Sequence, residues 1–225
     1  AFPAMERFTF HLLILISLIP GGSLMADTND AEEQVVRRWL STNSGVDVLK
    51  VEFTQIRKLT SLKSTIRQRG VLWIDRRAAA RFRWQIGSPP RTIVTRVKNE
   101  LLVMRPRSLQ YEKSPATESK NSMAILAGGF PRGWEEFQKK YELLGVKILN
   151  GTHRINVQPK GELAHGVRVL TFVTEGAKGV LQSIDLILRD GSSQQIVFDK
   201  VVTSPRLSDD LFEPDLTGYR AVDFK

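Results

Sequence analysis

The chain has 225 residues, of which 41% are hydrophobic and 25% are charged, proportions that exclude a disordered protein. Lys and Arg number 33 against 24 Asp and Glu, and this formal net charge of +9 favours acidic partners such as anionic lipid headgroups or nucleic acid. The absence of cysteine excludes disulfides, thiolate chemistry and lipidation at a cysteine beside a signal peptide.

The first 26 residues have the pattern of a secretory signal peptide. Arg7 precedes an apolar run over residues 8–19, Pro20-Gly21-Gly22 breaks any helix there, and small residues lead to Ala26. The alternative is an uncleaved anchor, but the run is shorter than the ~20 apolar residues that a membrane span requires. We predict cleavage after Ala26, so that residues 27–225 form one exported domain of a size that suits a single core.

The next segment has helical periodicity. Asn29 or Asp30 caps a predicted helix that runs to about Thr42. Its apolar residues fall on one stripe, which indicates a helix with one buried face. These residues are Val35, Val36, Trp39 and Leu40.

Beyond Gly45 the pattern changes from helical to extended. Charged and apolar side chains alternate over residues 81–86, which on a strand places Phe82 and Trp84 on one face and Arg81 and Arg83 on the other. Other segments are rich in β-branched and aromatic residues, as strands are. They predict strands at 51–56, 65–74, 92–97, 101–104 and 109–112.

The segment 113–140 interrupts the strands, and residues 122–127 and 134–140 are predicted to form two short helices. Gly191 permits a tight turn between the last two strands, because glycine adopts positive φ without strain. We predict a mostly β (α+β) domain, with one large curved antiparallel sheet of about 11 strands, an N-terminal helix and a helical insertion. The later strands are predicted at 142–149, 153–159, 167–175, 180–189 and 194–203.

The sequence contains no constellation typical of catalysis. His11, His153 and His165 lack the spacing of metal ligands, and there is neither a nucleophile elbow nor a phosphate-binding loop. Asp209-Asp210 precedes Leu211 in the manner of a helix cap. We therefore predict a protein that is not an enzyme and that uses no metal or cofactor.

Nucleic-acid binding is an alternative that the basic charge suggests. Grooves that bind single strands combine cations with aromatic residues on which bases stack. The alternation at 81–86 places Phe82 and Trp84 opposite Arg81 and Arg83, whereas such a groove needs both groups on one face. We predict no nucleic-acid partner.

The strands suit a large apolar surface instead. A barrel of more than eight strands encloses room for a ligand. Burial of an acyl chain contributes roughly 0.8 kcal/mol per CH₂, so a lipid carrier needs no catalytic group. The same aromatic residues also suit an ordinary protein core, and composition does not distinguish the two.

Short motifs, in their order and spacing, resemble those of a known family. Phe53-Thr54-Gln55 resembles the signature in the first strand of the periplasmic outer-membrane lipoprotein carriers, the LolA-like family. The resemblance covers residues from about 30 to 225. Similar motifs are Gly70-Val71-Leu72-Trp73-Ile74, Arg81-Phe82-Arg83-Trp84 with Pro89, Asn156-Val157-Gln158-Pro159-Lys160, Asp190-Gly191 and Phe212-Glu213-Pro214.

The resemblance implies an unclosed β-barrel with a helical lid. Members of the family carry acylated lipoproteins across the periplasm, from an inner-membrane ABC-type exporter to an outer-membrane acceptor. In the family an arginine before a proline links the barrel to the lid. Arg76 matches that position, and Arg77, which stands in place of the proline, is the second candidate for this latch.

We therefore expect a monomeric periplasmic carrier that shuttles lipoprotein acyl chains from the inner to the outer membrane. Its expected partners are these acyl chains, an ABC-type exporter and an outer-membrane acceptor. The alternative is a periplasmic lipid-binding protein or envelope-stress sensor with the same open-barrel fold. The predicted cavity residues are Phe53, Leu72, Trp73, Phe82, Trp84, Ile93 and Val103, and the predicted lid residues are Met123, Leu126 and Phe130.

Overall fold

A computed structural model describes residues 26–62, 64–77, 81–115, 131–176 and 178–223. Within these ranges the α-helices are α1 (Ala26–Ser44) and α2 (Trp134–Lys140). The strands are β1 (Val48–Lys58), β2 (Thr65–Asp75), β3 (Arg81–Ile86), β4 (Thr92–Val97), β5 (Glu100–Arg105), β6 (Gln110–Pro115), β7 (Tyr141–Leu149), β8 (Thr152–Pro159), β9 (Val167–Glu175), β10 (Leu181–Leu188), β11 (Ser193–Thr203) and β12 (Arg220–Ala221).

The strands form one sheet in the order β12-β6-β5-β4-β3-β2-β1-β11-β10-β9-β8-β7. Neighbouring strands are antiparallel except β12, which pairs in parallel with β6. Because β12 and β7 lie at the two ends of the order, the barrel is unclosed. The predicted mostly β fold is confirmed, and the two-residue β12 is an addition that the sequence pattern did not predict.

The sheet has an inner face, defined as the face that shares the main buried cluster with α1 and α2. Cross-strand pairs fix which residues share this face, since directly paired residues point to the same side. Leu72 pairs with Trp84, Trp84 with Val94, and Val94 with Val103. The charge alternation of β3 therefore buries Phe82 and Trp84 inside, as predicted, and leaves Arg81 and Arg83 on the outer face.

The two described helices cover this inner face. The apolar stripe of α1 is buried through Val36, Trp39 and Leu40, and α2 buries Phe137. The side-chain amide of Asn43 donates to the backbone carbonyl of Trp39 (2.7 Å) near the end of α1. No helix among the described residues is long and apolar enough to span a membrane.

Several predicted features lie outside the described residues. They are residues 1–25 of the predicted signal peptide, the predicted helix at 122–127, and the lid residues Met123, Leu126 and Phe130. The second predicted helix, at 134–140, is confirmed as α2.

Gly70 allows a close approach between the first two strands. A Cβ at this position would lie 2.3 Å from Cζ of Phe53 and 2.5 Å from the carbonyl oxygen of Gln85. Since Phe53 pairs directly with Gly70, the phenylalanine ring lies over the backbone of β2. The glycine is therefore required for the position of the Phe53 ring.

We predict that Gly70→Ala lowers the free energy of unfolding by about 1–3 kcal/mol, because the added methyl overpacks a buried contact. The measurement is urea denaturation followed by tryptophan fluorescence. Gly45→Ala is the control, since nothing lies within 4 Å of a Cβ there. Equal stability of the two variants would contradict this role of Gly70.

Candidate functional site

The first half of the inner face is formed by β1 to β5. Phe53, Leu72, Phe82 and Trp84 are buried there, and Val103 is partly buried against them. The rings of Phe53 and Trp84 are stacked, with 4.0 Å between centroids and 29° between planes. Five of the seven residues predicted for the cavity thus share one apolar surface.

The other two, Trp73 and Ile93, lie on the outer face. Ile93 belongs to a separate small cluster with Leu102 and Met104. Trp73 is partly exposed, and the guanidinium of Arg83 lies 5.9 Å from its ring centroid. The prediction that Trp73 and Ile93 line the same cavity was wrong. Each has an apolar neighbour along its strand, and the period-two pattern does not show whether the residue or its neighbour points inward.

The second half of the inner face, on β7 to β9, carries an aromatic cluster. Trp39 of α1 lies 4.5 Å from Phe172 and 6.3 Å from Phe137, measured between ring centroids. Tyr141 lies 5.6 Å from Phe172, and desolvation raises the pKa of its hydroxyl well above the usual value. The sequence showed Trp39 on a buried stripe, but only the tertiary packing brings it to β9.

One polar group within the apolar part of the inner face is unusual. The indole N–H of Trp84 is buried and has no acceptor among the described residues. A buried donor without an acceptor costs about 1–3 kcal/mol. Trp84 is thus a hydrogen-bond donor without an acceptor, set among apolar side chains.

The chemistry that these side chains offer is apolar contact. No group of three or more His, Cys, Asp or Glu residues that could hold a metal ion occurs in the part of the chain that the structure describes. The inner face offers buried aromatic and aliphatic side chains under two helices. Such a surface gains its binding free energy from the apolar area that it removes from water.

The sequence matches the family model described as outer membrane lipoprotein carrier protein LolA over residues 44–215. The chain belongs to the LolA family. A comparison with curated proteins finds no match.

Several solved structures are similar to this chain at low sequence identity. An uncharacterised conserved protein from Thermus thermophilus is 9% identical with a TM-score of 0.51, over 85% of this chain and 98% of that one. A putative outer membrane lipoprotein-sorting protein domain from Vibrio parahaemolyticus is 10% identical with a TM-score of 0.50, over 83% and 98%. A LolA superfamily protein from Nitrosomonas europaea is 10% identical with a TM-score of 0.46, over 80% and 96%.

Arg76, the first latch candidate of this LolA family member, is buried at the end of β2. Its guanidinium donates to the carbonyl of Val46 (2.8 Å), and its own carbonyl accepts from the guanidinium of Arg132 (2.8 Å). Burial and the charge of Arg132 lower the pKa of Arg76. Arg76 thus joins β2 to the α1–β1 connection and to the segment that precedes α2.

Arg77, the second candidate, has a different environment. Its side chain is mostly exposed and donates twice to the carboxylate of Asp75, at 3.0 and 2.9 Å. Arg81 donates to the same carboxylate at 3.1 Å and forms an ion pair with Asp209 at 2.7 Å. The hydrogen bonds of Arg77 therefore belong to the outer face and do not reach the helices.

The same outer-face cluster holds the C-terminal segment, a role that the sequence pattern does not indicate. The guanidinium of Arg81 lies 4.5 Å from the ring centroid of the buried Phe212, and Arg83 donates to the carbonyl of Leu211 (3.1 Å). The alternation of β3 predicted that Arg81 and Arg83 lie outside, but not what they bind. Their partners are more than 120 residues away in the sequence, so no local pattern indicates them.

We predict that Asp75→Asn destabilises the protein by about 2 kcal/mol at neutral pH, because Arg77 and Arg81 lose a charged acceptor. These guanidinium groups hold the pKa of Asp75 well below its usual value. The stabilisation is therefore present above about pH 4 and is lost as the pH falls below the unfolded-state pKa.

Denaturant unfolding of the wild type and of Asp75→Asn at several pH values measures this difference. Asp210→Asn, which changes an exposed carboxylate, is the control and should have little effect. A stability difference between wild type and Asp75→Asn that did not shrink under acidic conditions would contradict this account of the carboxylate.

Proposed function

We propose that this LolA family member is a periplasmic carrier that holds the acyl chains of lipoproteins against the inner face of its sheet. The observation that carries the proposal is the continuous apolar surface built by Phe53, Leu72, Phe82, Trp84 and Val103. The family's description and the name of the related sorting domain from Vibrio support a lipoprotein ligand.

The physical basis is the burial of hydrocarbon. Each CH₂ group that leaves water contributes about 0.8 kcal/mol, so chain length alone supplies the affinity. The unpaired indole N–H of Trp84 suits the carbonyl oxygen of an acyl ester, because a ligand acceptor removes the cost of a buried unsatisfied donor. Aliphatic contact and one hydrogen bond would together place the ester end of the chain near Trp84.

The direction of transport and the partners are part of the same proposal. The predicted signal peptide would export the chain, an inner-membrane ABC-type exporter would load it, and an outer-membrane acceptor would receive the cargo. Met123, Leu126 and Phe130 are proposed as lid residues over the inner face. Discharge would follow from transfer to an acceptor that binds the acyl chains more tightly.

Arg76 is proposed as the latch of that lid. Its contacts with Val46 and Arg132 tie the end of β2 to the elements on both sides of the inner face. Loss of these contacts would loosen the segment that leads into α2. Arg76 would therefore control the rate of ligand exchange and would leave the apolar contacts themselves unchanged.

We predict that a triacylated lipopeptide displaces a fluorescent hydrophobic probe from residues 27–225 in a saturable manner, and that Trp84→Arg weakens this displacement at least tenfold. The charge would lie within the apolar face, where an unpaired cation is strongly disfavoured. Trp73→Arg is the matched control, since it makes the same change on the next strand but on the outer face.

Circular dichroism and denaturation establish whether each variant is folded. Because Trp84 is fully buried, Val103→Arg provides a second variant at a partly buried position of the same face. Equal effects of Trp84→Arg and Trp73→Arg in folded proteins would contradict the proposed face. Displacement by an anionic phospholipid but not by the lipopeptide would contradict the lipoprotein cargo.

We also predict that Arg76→Leu speeds the exchange of the bound probe several-fold in stopped-flow measurements, because the lid contacts open more often. Arg77→Leu is the matched control, since the side chain of Arg77 binds Asp75 on the outer face. Unchanged exchange in folded Arg76→Leu, or an equal change in Arg77→Leu, would contradict the latch.

A further inference from the structure

One end of the sheet, which we call the turn end, carries a group of exposed cations. At the turn end, the antiparallel order of the strands brings together five connections: β1–β2, β3–β4, β5–β6, β8–β9 and β10–β11. A direct contact joins two of them, since the Thr60 amide donates to Oγ of Ser192 (3.3 Å). The Gly87 amide, in the β3–β4 connection, donates to the carbonyl of Arg69 in the neighbouring strand β2 (2.9 Å). The β10–β11 turn also meets the β8–β9 connection, through the Arg189 side chain and the carbonyl of Ala164 (2.7 Å).

Exposed cations lie at each of these connections. They form what we call the basic rim, which consists of Lys58, Arg67, Arg91, Arg107, Arg168 and Arg189. The acidic residues in the same connections are Glu162 and Asp190. The ion pairs of the described residues include none of the six rim cations.

At the opposite end of the sheet, several cations have carboxylate partners. Arg77 lies 2.9 Å from a carboxylate oxygen of Asp75, and Lys178 lies 3.6 Å from Glu175. Arg132 approaches Asp47 to 3.7 Å. The six rim cations differ from these three in that they form no ion pair among the described residues.

Two exposed leucines lie among the rim cations. Leu62, in the β1–β2 connection, is 47% exposed, and Leu109, in the β5–β6 connection, is 52% exposed. Leu109 has a φ of 49°, a left-handed conformation that leucine rarely adopts. A glycine or asparagine would fit this backbone with less strain, so a leucine at the tip indicates a use for an apolar side chain in that place.

We propose that the basic rim, with Leu62 and Leu109, is a docking surface for the anionic face of a lipid bilayer. Cations near an anionic bilayer are attracted to its headgroups. Exposed leucines at the turn tips enter the boundary between headgroups and acyl chains, a region that nucleic acid and an acidic protein surface do not offer. Charge and apolar tips together favour a membrane over these other acidic partners.

The test is co-sedimentation of the protein with vesicles of equal parts phosphatidylglycerol and phosphatidylcholine, and with phosphatidylcholine alone. We expect binding to the anionic vesicles that weakens at high salt, and little binding to the neutral ones. The rim variant Arg67→Glu/Arg107→Glu/Arg168→Glu should weaken the binding at least about tenfold.

The matched control is Lys147→Glu/Lys200→Glu/Arg206→Glu, which reverses three exposed cations away from the turn end. Each triple lowers the formal net charge of the chain from +9 to +3. The control should bind anionic vesicles within about twofold of the wild type, because the lower net charge alone causes only a small loss of binding. Leu62→Ser/Leu109→Ser keeps the charge and should also reduce binding.

Equal losses in the two charge-reversed triples would overturn the proposal, since net charge alone would then explain the binding. Absence of binding to anionic vesicles would overturn it as well, as would rim-dependent binding to a DNA duplex without binding to vesicles. The proposed carrier function is tested separately, because the rim triple should leave displacement of the hydrophobic probe by the lipopeptide unchanged.

Discussion

The central constraint on this protein is a twelve-stranded sheet with one apolar face that does not close on itself. An open sheet of this size must cover its apolar face with other elements, since exposed hydrocarbon is unfavourable in water. Helix α1 and helix α2 do so over β7 to β9, where Trp39 and Phe137 join an aromatic cluster. The stacked pair of Phe53 and Trp84 continues the apolar surface across the other half of the sheet.

The two faces of the sheet have separate roles. The inner face is apolar and supports the proposed binding of acyl chains. The outer face carries arginines that hold the C-terminal segment, through the contacts of Arg81 with Asp209 and Phe212. This division follows from the alternation of β3, whose even-numbered residues are buried while its odd-numbered residues are arginines and a glutamine. A third region, the turn end, carries the basic rim.

Much of this architecture is predictable from the sequence, for a physical reason. Strands with one polar and one apolar face have a clear period of two, and β3 and the hairpin at Gly191 were predicted correctly on this basis. Where adjacent residues are both apolar, as at Leu72 and Trp73, the period does not identify the inner one, and Trp73 was placed on the wrong face. The parallel pairing of β12, the aromatic cluster and the partners of Arg81 depend on distant residues, which no local pattern encodes.

The most direct test of the central claim is quenching of tryptophan fluorescence by a lipopeptide whose acyl chains carry bromine atoms, because the quenching requires close contact. We expect saturable quenching in the wild type that falls sharply in Trp84→Phe and persists in Trp73→Phe, since Trp84 is on the inner face and Trp73 is on the outer face. Saturable quenching that is lost in Trp73→Phe and retained in Trp84→Phe, or no quenching in any of the three proteins, would contradict the proposal that the inner face holds the acyl chain.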